Sequence, residues 1–392
     1  MADGNTYLVA AARSPIGHFL GGLSKLPATA IGGQVARALL ERAGVLPADV
    51  DEVLIGQVLQ AGCGQNPARQ VALAAGLPDT ITAATINKVC GSSLQAAMFA
   101  DQILRVGDAE VILAGGVESM SNAPHLVRGM RSGHKFGNVE MVDCMAYDGL
   151  TNVYDGEIMG VIAEESGRRV GATRAQQDEF SLRSHQRAAA AEKAGAFDAV
   201  RVPISVPRAA EPVARDETIR HDISIEKLAA LKPAFSKDGE ITAGNASTIS
   251  DGAAMVICAS AAGLKKCRSA PLARVVAHAT AGGPPRDLFF APIAACRKAC
   301  EKAGWPLRSV DLWEINEAFA AQMLACMKGL ELDPEKVNVH GGAIALGHPI
   351  GASGARVLGT LMHALKRLNL KRGVASLCLG GGNAVAMAIE AM

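Results

Sequence analysis

Asp51-Glu-Val-Leu-Ile-Gly-Gln57 recurs 260 residues later as Asp311-Leu-Trp-Glu-Ile-Asn-Glu317, and each copy follows an Ala-Gly pair, Ala43-Gly44 in one case and Ala303-Gly304 in the other. A second echo relates Val111-Ile-Leu-Ala-Gly-Gly116 to Ser376-Leu-Cys-Leu-Gly-Gly381. A period this long exceeds any solenoid repeat, so the chain reads as two similar halves that face one another. Around the first copy, strand and helix signals alternate. Strands are expected over residues 7–11, 50–59, 81–89 and 110–114, the last a continuous apolar run of the kind buried on both faces of a parallel sheet. Helices are expected over 28–43, 66–75 and 94–106, closed by Gly44, Gly76 and Gly107. The fold class is therefore α/β.

Residues 116–246 break this rhythm, being richer in Gly, Met, Asp and Arg. Their one long regular piece is a helix near 173–194, opened by Thr173 with Gln176 in the capping-box position. This segment is read as an insertion over the mouth of the core. The expected organisation is a first half made of 1–116 and 247–270, an inserted loop domain at 117–246, and a second half at 271–392.

The 392 residues are 49% hydrophobic and 20% charged, with a net charge of +1, which is a globular composition without the clustered cations that nucleic-acid binding needs. Aromatic residues, at 4%, are too few for base-stacking surfaces. No leader and no membrane-spanning run is read, so neither a nucleic-acid nor a membrane partner is expected. Nine scattered cysteines suit the free thiols of a reducing, cytoplasmic compartment. Cys63, Cys144, Cys258, Cys267, Cys296, Cys300 and Cys326 are read as packing residues. Cys296 and Cys300 lack a matching Cys or His pair, so no metal site is expected. His340 and His363 are read as structural or surface groups.

A duplicated α/β fold brings corresponding strand ends to a shared axis, and ligands of such folds bind beyond carboxyl strand ends. In the first half that place holds Asn87-Lys-Val-Cys-Gly-Ser-Ser93. Cys90 there precedes a helix, whose peptide N–H groups and dipole are expected to favour the thiolate. The second half offers Asn316-Glu-Ala-Phe319, then His348 on a loop fixed by Gly347 and Pro349, then Cys378-Leu-Gly-Gly-Gly-Asn383. These groups suit carbon–carbon bond chemistry on thioesters. One thiol holds the acyl group, an imidazole activates it, and a further base removes a proton beside a carbonyl. Glycine-rich turns supply N–H donors for the oxyanions.

NKVCGSS around Cys90, NEAFA from Asn316, GGAIALGHPIGASGAR from Gly341 and CLGGGNA from Cys378 together resemble the thiolase family, its short-chain, biosynthetic type in particular. GQVLQAGCGQNPARQ from Gly56 and KPAFSKDGEITAGNAS from Lys232 extend the likeness over nearly the whole chain. The resemblance implies two duplicated five-layered α/β/α/β/α halves with an inserted loop domain. It implies acetyl-CoA C-acetyltransfer, with acetyl-CoA, acetoacetyl-CoA and CoA as substrates and products and no permanently bound cofactor. Cys90 would be the acetylated nucleophile, His348 its base, and Cys378 the acid/base acting on the second acetyl-CoA. Asn316 with His348 would stabilise the enolate through a water, and the N–H groups of Cys90 and Gly380 would form the other oxyanion hole. Arg220 and Ser247 would contact coenzyme A, while Phe235, Ala243, Met159, Ala318 and Phe319 would line its tunnel.

The basic stretch at 128–135 is similar to the cationic loop through which that subgroup forms homotetramers, and is expected to offer charge to coenzyme A phosphates. One position departs from the subgroup. Where a histidine is expected before Met159-Gly160, Ile158 stands, which keeps a degradative 3-ketoacyl-CoA thiolase on longer or branched chains as the alternative. A decarboxylating ketoacyl synthase would carry a second histidine in place of Cys378. A thiolase-like lipid-binding protein without catalysis would have lost one or more of Cys90, Asn316, His348 and Cys378, and all four are present.

Overall fold

A computed structural model describes residues 4–392; residues 1–3, the start of the stretch read as lacking a leader, lie outside the described residues. The strands are β1 (Thr6–Arg13), β2 (Gly17–His18), β3 (Glu52–Gly56), β4 (Thr82–Ile86), β5 (Val111–Ser119), β6 (His125–Val127), β7 (Met141–Asp143), β8 (Ser250–Ser260), β9 (Ala273–Gly282), β10 (Leu312–Ile315), β11 (Arg372–Leu379) and β12 (Asn383–Ala391). The α-helices are α1 (Ala28–Ala43), α2 (Pro67–Ala75), α3 (Ser92–Val106), α4 (Met159–Val170), α5 (Arg174–Lys193), α6 (Ile225–Ala229), α7 (Ala291–Ala303), α8 (Ala320–Leu330), α9 (Ala343–Leu346) and α10 (Ser353–Arg367).

Local chemistry accounts for the boundaries. Gly44 and Gly304 close α1 and α7 in the left-handed region, at φ 63° and 67°, where a side chain would strain the backbone. Asn66 caps α2 by accepting from Arg69 N, with Pro67 at the first helical position. Thr173 and Gln176 form the expected capping box on α5. β5 and β8 are buried at every residue, as their apolar runs require.

Strands follow the order β10-β11-β12-β9-β1-β8-β5-β3-β4, with β2 paired to β8. The two halves join where Thr6, Tyr7 and Leu8 of β1 pair antiparallel with Val275, Arg274 and Ala273 of β9. On either side of that seam β8 answers β12, β5 answers β11, and β3 answers β10. The repeated aspartate does the same work in both halves. Asp51 accepts from the N–H groups of Glu110 and Val111 at 2.7 and 2.9 Å. Asp311 accepts from those of Lys371 and Arg372 at 3.0 and 2.8 Å.

Five layers result, shared by the two halves. α1 and α2 cover one outer face through Ile31, Val35, Leu39 and Val71. α7 and α8 cover the other through Cys296, Cys300, Met323 and Cys326, which pack as core residues. Between them α3 and α10 lie against each other, with Leu94, Met98, Val357 and Leu361 buried in one cluster. The segment between β5 and β8 leaves this stack. It contains the β6–β7 hairpin, the exposed stretch 128–140, and α4 to α6. Arg128 there lies over the Tyr147 ring at 4.4 Å.

The central helices meet without room between them. A Cβ on Gly354 would collide with Leu94 N of α3, and one on Gly116 with the carbonyl of Gly351. Gly354→Ala is expected to overpack this crossing and to cost about 1–3 kcal/mol. Chemical denaturation of the variant checks this, a lowered unfolding midpoint being the expected result.

Candidate active site

Cys90 reaches its position through a turn, and in this the structure differs from the expected strand over 81–89. β4 ends at Ile86, and Val89 takes a left-handed φ of 48°, a conformation that strains a β-branched residue. The turn is held from several sides. Asn87 Oδ1 accepts from Val89 N at 3.0 Å, Lys88 N donates to Ser92 Oγ at 2.8 Å, and Ser92 Oγ donates to Val89 O at 2.6 Å. Gly91 follows because a Cβ there would strike Leu379 of β11. Extended pairing is given up so that the Cys90 thiol faces the second half.

The residues gather around one cavity of about 490 Å³. Cys90, His348, Cys378 and Gly380 line it, as do Ser247, Phe235, Ala243, Met159, Ala318 and Phe319. Its walls also include His18, Phe19, Leu150, Ile158, Ile249 and Ile350, which the sequence reading did not assign to the site or, for Ile158, placed only by its departure from the subgroup. The aromatic part is keyed together. Phe319 stands edge-to-face with Phe235 and Phe289 at 6.1 and 5.4 Å. Gly160 has no side chain because the Phe235 ring occupies that space. Asn316 is fully buried beside the cavity, not on its wall, with Nδ2 3.4 Å from His348 Nε2. Arg220 is exposed and is not among the lining residues; its N–H donates to His185 Nδ1 at 3.1 Å. The stretch 128–135 is likewise exposed and contributes no lining residue.

Burial decides the protonation states. Desolvation pushes the Cys90 thiol up to about 12, outweighing the N–H groups of Cys90 and Gly380 that point at its sulfur. The expected preference for a resting thiolate is therefore overturned, because losing water costs the anion more than the local dipoles return. The same two N–H groups are the donors expected for an oxyanion, and they converge where Cys90 sits. Cys378 is raised well above the usual thiol range by burial and by Cys90 beside it. His348 is lowered to about 3, by burial first and by the Arg356 cation second. The resting site is thus uncharged: two thiols and a neutral imidazole.

The imidazole is placed by its neighbours. His348 N donates to Thr248 O at 3.1 Å, and Nδ1 lies 2.6 Å from Ser353 Oγ. Asn316 Oδ1 accepts from Arg356 at 3.0 Å, and Arg356 also bonds Glu314 at 3.1 Å. Glu118, at the end of β5, accepts from Val58, Leu59 and Gly351, tying the loop after His348 to the first half. Ser353, Arg356, Glu314 and Glu118 are contacts that no motif reading assigned, although Ser353 and Arg356 lie inside the GASGAR stretch.

Because His348 is neutral in the native state and protonates near 6.5 when unfolded, the unfolded chain binds more protons between those limits. This contribution to stability is complete above about pH 6.5 and is lost as pH falls toward about 3. His185, lowered to about 4 by burial and by Arg220, acts in the same direction. A His348→Asn variant is expected to lose less stability between about pH 7 and about pH 4.5 than the parent. Denaturant titrations at the two pH values check this.

Comparison with known proteins agrees with this geometry. The thiolase N-terminal domain family matches residues 6–262 and the thiolase C-terminal domain family matches 269–391. The chain is 52% identical over 386 residues to the acetyl-CoA acetyltransferase of Chromobacterium violaceum, covering 98% of each chain. It is 50% identical over 386 residues to that of Cupriavidus necator, again covering 98% of each. The crystal structure of the Bacillus anthracis acetyl-CoA acetyltransferase superposes with a TM-score of 0.97 at 45% identity over the full length of both chains. That of human mitochondrial 3-ketoacyl-CoA thiolase superposes with 0.96 at 41% identity, covering 99% of each. Two domain matches that tile the chain, around a cavity where both halves place a thiol, make this protein a member of the thiolase family.

Proposed function

We propose that the chain is an acetyl-CoA C-acetyltransferase, joining two acetyl-CoA into acetoacetyl-CoA and CoA through an acetyl-Cys90 intermediate and running the reverse thiolysis. The observation that carries this reading is the cavity holding Cys90, Cys378 and His348 together, with the Cys90 and Gly380 N–H groups aimed at the Cys90 sulfur. The names of the full-length relatives support it.

A neutral resting site sets how protons move. Cys90 attacks the thioester carbonyl of the first acetyl-CoA as its proton passes to His348 Nε2. The carbon–sulfur bond to CoA breaks, and the CoA sulfur takes the proton of Cys378. His348 is then a cation and Cys378 a thiolate, a pair that offsets the desolvation each would suffer alone. The Cys378 thiolate removes a methyl proton from the second acetyl-CoA. The resulting enolate attacks acetyl-Cys90, a carbon–carbon bond forms, and the Cys90 sulfur leaves and recovers its proton from His348. The N–H groups of Cys90 and Gly380 stabilise the tetrahedral oxyanion, and Asn316 with His348 stabilises the enolate.

Ser247, Phe235, Ala243, Met159, Ala318 and Phe319 are assigned to the pantetheine part of coenzyme A, which their apolar lining of the cavity supports. Arg220 is assigned to the nucleotide part beyond the cavity, in keeping with its exposed position. The same reading includes a homotetramer, supported by the exposed apolar side chains of Met130, Phe136 and Met141 on the loop domain. It also includes a cytoplasmic location, supported by nine free thiols. Among the described residues no helix is long and apolar enough to cross a membrane. A second reading, thiolysis of longer or branched 3-ketoacyl-CoA, is favoured by Ile158, an apolar side chain on the cavity wall.

Cys90→Ser is expected to lower turnover by about a thousandfold or more, because an alkoxide forms far less readily than a thiolate. Near-parental turnover would remove Cys90 from the nucleophile's role. Cys378→Ala is expected to keep acetyl exchange between CoA molecules, since CoA leaves readily as a thiolate, and to lose condensation by about 10²–10⁴-fold. Thiolysis rates across 3-ketoacyl-CoA chain lengths, with mass detection of acetyl on the Cys90 peptide, separate the two substrate readings. A preference for the four-carbon substrate is the expected result.

A further inference from the structure

We propose that the first turn of α10 carries two positioning residues, Ser353 and Arg356, which fix the tautomer of His348 and the amide orientation of Asn316. The proposal rests on the functional reading of His348 and Asn316 given above.

The tautomer follows from counting protons. Ser353 Oγ lies 2.9 Å from the carbonyl oxygen of Pro349, which can only accept. That oxygen also accepts from Ala352 N and Ser353 N at 2.9 and 3.0 Å, and the hydroxyl proton is assigned to this shared acceptor. With the hydroxyl proton held there, the 2.6 Å contact between Ser353 Oγ and His348 Nδ1 is donated by the ring. A neutral imidazole has a single N–H, so it sits on Nδ1 and Nε2 keeps its lone pair. Nε2 is the nitrogen next to Asn316 and the one the mechanism requires as base.

The amide follows from a second count. A guanidinium only donates, so the Asn316 atom 3.0 Å from Arg356 must be the oxygen. The amino group consequently turns toward His348 Nε2, at 3.4 Å, a contact long enough to leave the lone pair available. A flipped amide would set two donors against each other at Arg356 and an oxygen against the Nε2 lone pair. Arg356 and Asn316 are 2% and 0% exposed, so bulk solvent does not reach either contact. Every donor in the chain therefore points one way, from Arg356 through Asn316, His348 and Ser353 to the Pro349 carbonyl. It begins at a group that never gives up its proton and ends at one that has none. Ser353 and Arg356 stand three apart, on one face of the helix.

Neither residue reaches the cavity, so neither is placed among the catalytic residues. The tautomer is read directly from the ¹⁵N shifts of ¹⁵N-histidine-labelled protein, the His348 signals being identified by their loss in His348→Asn. The parent is expected to show protonated Nδ1 and unprotonated Nε2, and Ser353→Ala a mixture of tautomers. Protonated Nε2 in the parent, or an unchanged pattern in Ser353→Ala, would overturn the Ser353 assignment.

For Arg356 the paired variant Glu314→Leu/Arg356→Met removes both buried charges together, so neither is left without a partner. Its kcat for condensation is expected to fall by about tenfold to a hundredfold, with KM for acetyl-CoA within about twofold. Arg356→Lys, which keeps the charge and loses the two-pronged geometry, is expected to fall between this and the parent. Parental kcat in the paired variant would overturn the Arg356 assignment. Should His348→Asn itself condense at the parental rate, the functional reading fails, while the ¹⁵N result still decides which residue sets the tautomer.

Discussion

Everything in the site depends on the close crossing of α3 and α10. Gly354 lies against the backbone of Leu94, and Ser93 Oγ accepts from Ala355 N at 2.9 Å, joining the starts of the two helices. Cys90 stands two residues before α3 and His348 five before α10, so a contact between helix starts becomes proximity between a thiol and an imidazole. Widening the crossing by one methyl group would move them apart. The glycines of GASGAR and Gly116 within β5 are thus part of how the site is assembled, through the space they leave empty.

That packing also sets the electrostatics. A site walled by the loop domain and both halves disfavours an isolated charge at rest, and the directions of shift at Cys90, Cys378 and His348 all express this. The ionisable groups nearby are buried as well, and burial pushes the Glu118 carboxyl up to about 7 and that of Glu314 up to about 8. Arg356 faces Glu314 and Asn316, while Glu118 collects three backbone N–H groups. The groups lining the reaction space stay neutral at rest, which suits chemistry in which protons move in compensating pairs.

Much of this was legible in the sequence because it is written in local rules. The repeated Asp51 and Asp311 mark equivalent strand starts, Gly44 and Gly304 equivalent helix ends, and Thr173 with Gln176 a helix beginning. The motif residues Cys90, His348, Cys378 and Gly380 do come together at one cavity. Other features depend on tertiary context. The strand before Cys90 stops at Ile86 because the turn through Val89 is held by Asn87 and Ser92, a conformation that no propensity favours. The helix start that should have acidified Cys90 is outweighed by desolvation, which no one-dimensional pattern reports. Arg220 falls outside the cavity, Arg356 bonds Asn316 from 40 residues further along the chain, and the contact of Ser353 with His348 needs the turn that folds the loop back before α10.

The seam between β1 and β9 has a further consequence. Antiparallel pairing there, with β8 answering β12 and β5 answering β11 on either side, is the arrangement of an isologous dimer written into a single chain. In a true homodimer the loops before the two central helices would be identical, and each would meet its own copy across the axis. Tandem fusion removes that restriction. One loop carries cysteine and the other histidine, so a two-fold architecture houses a reaction centre that has no two-fold symmetry at all.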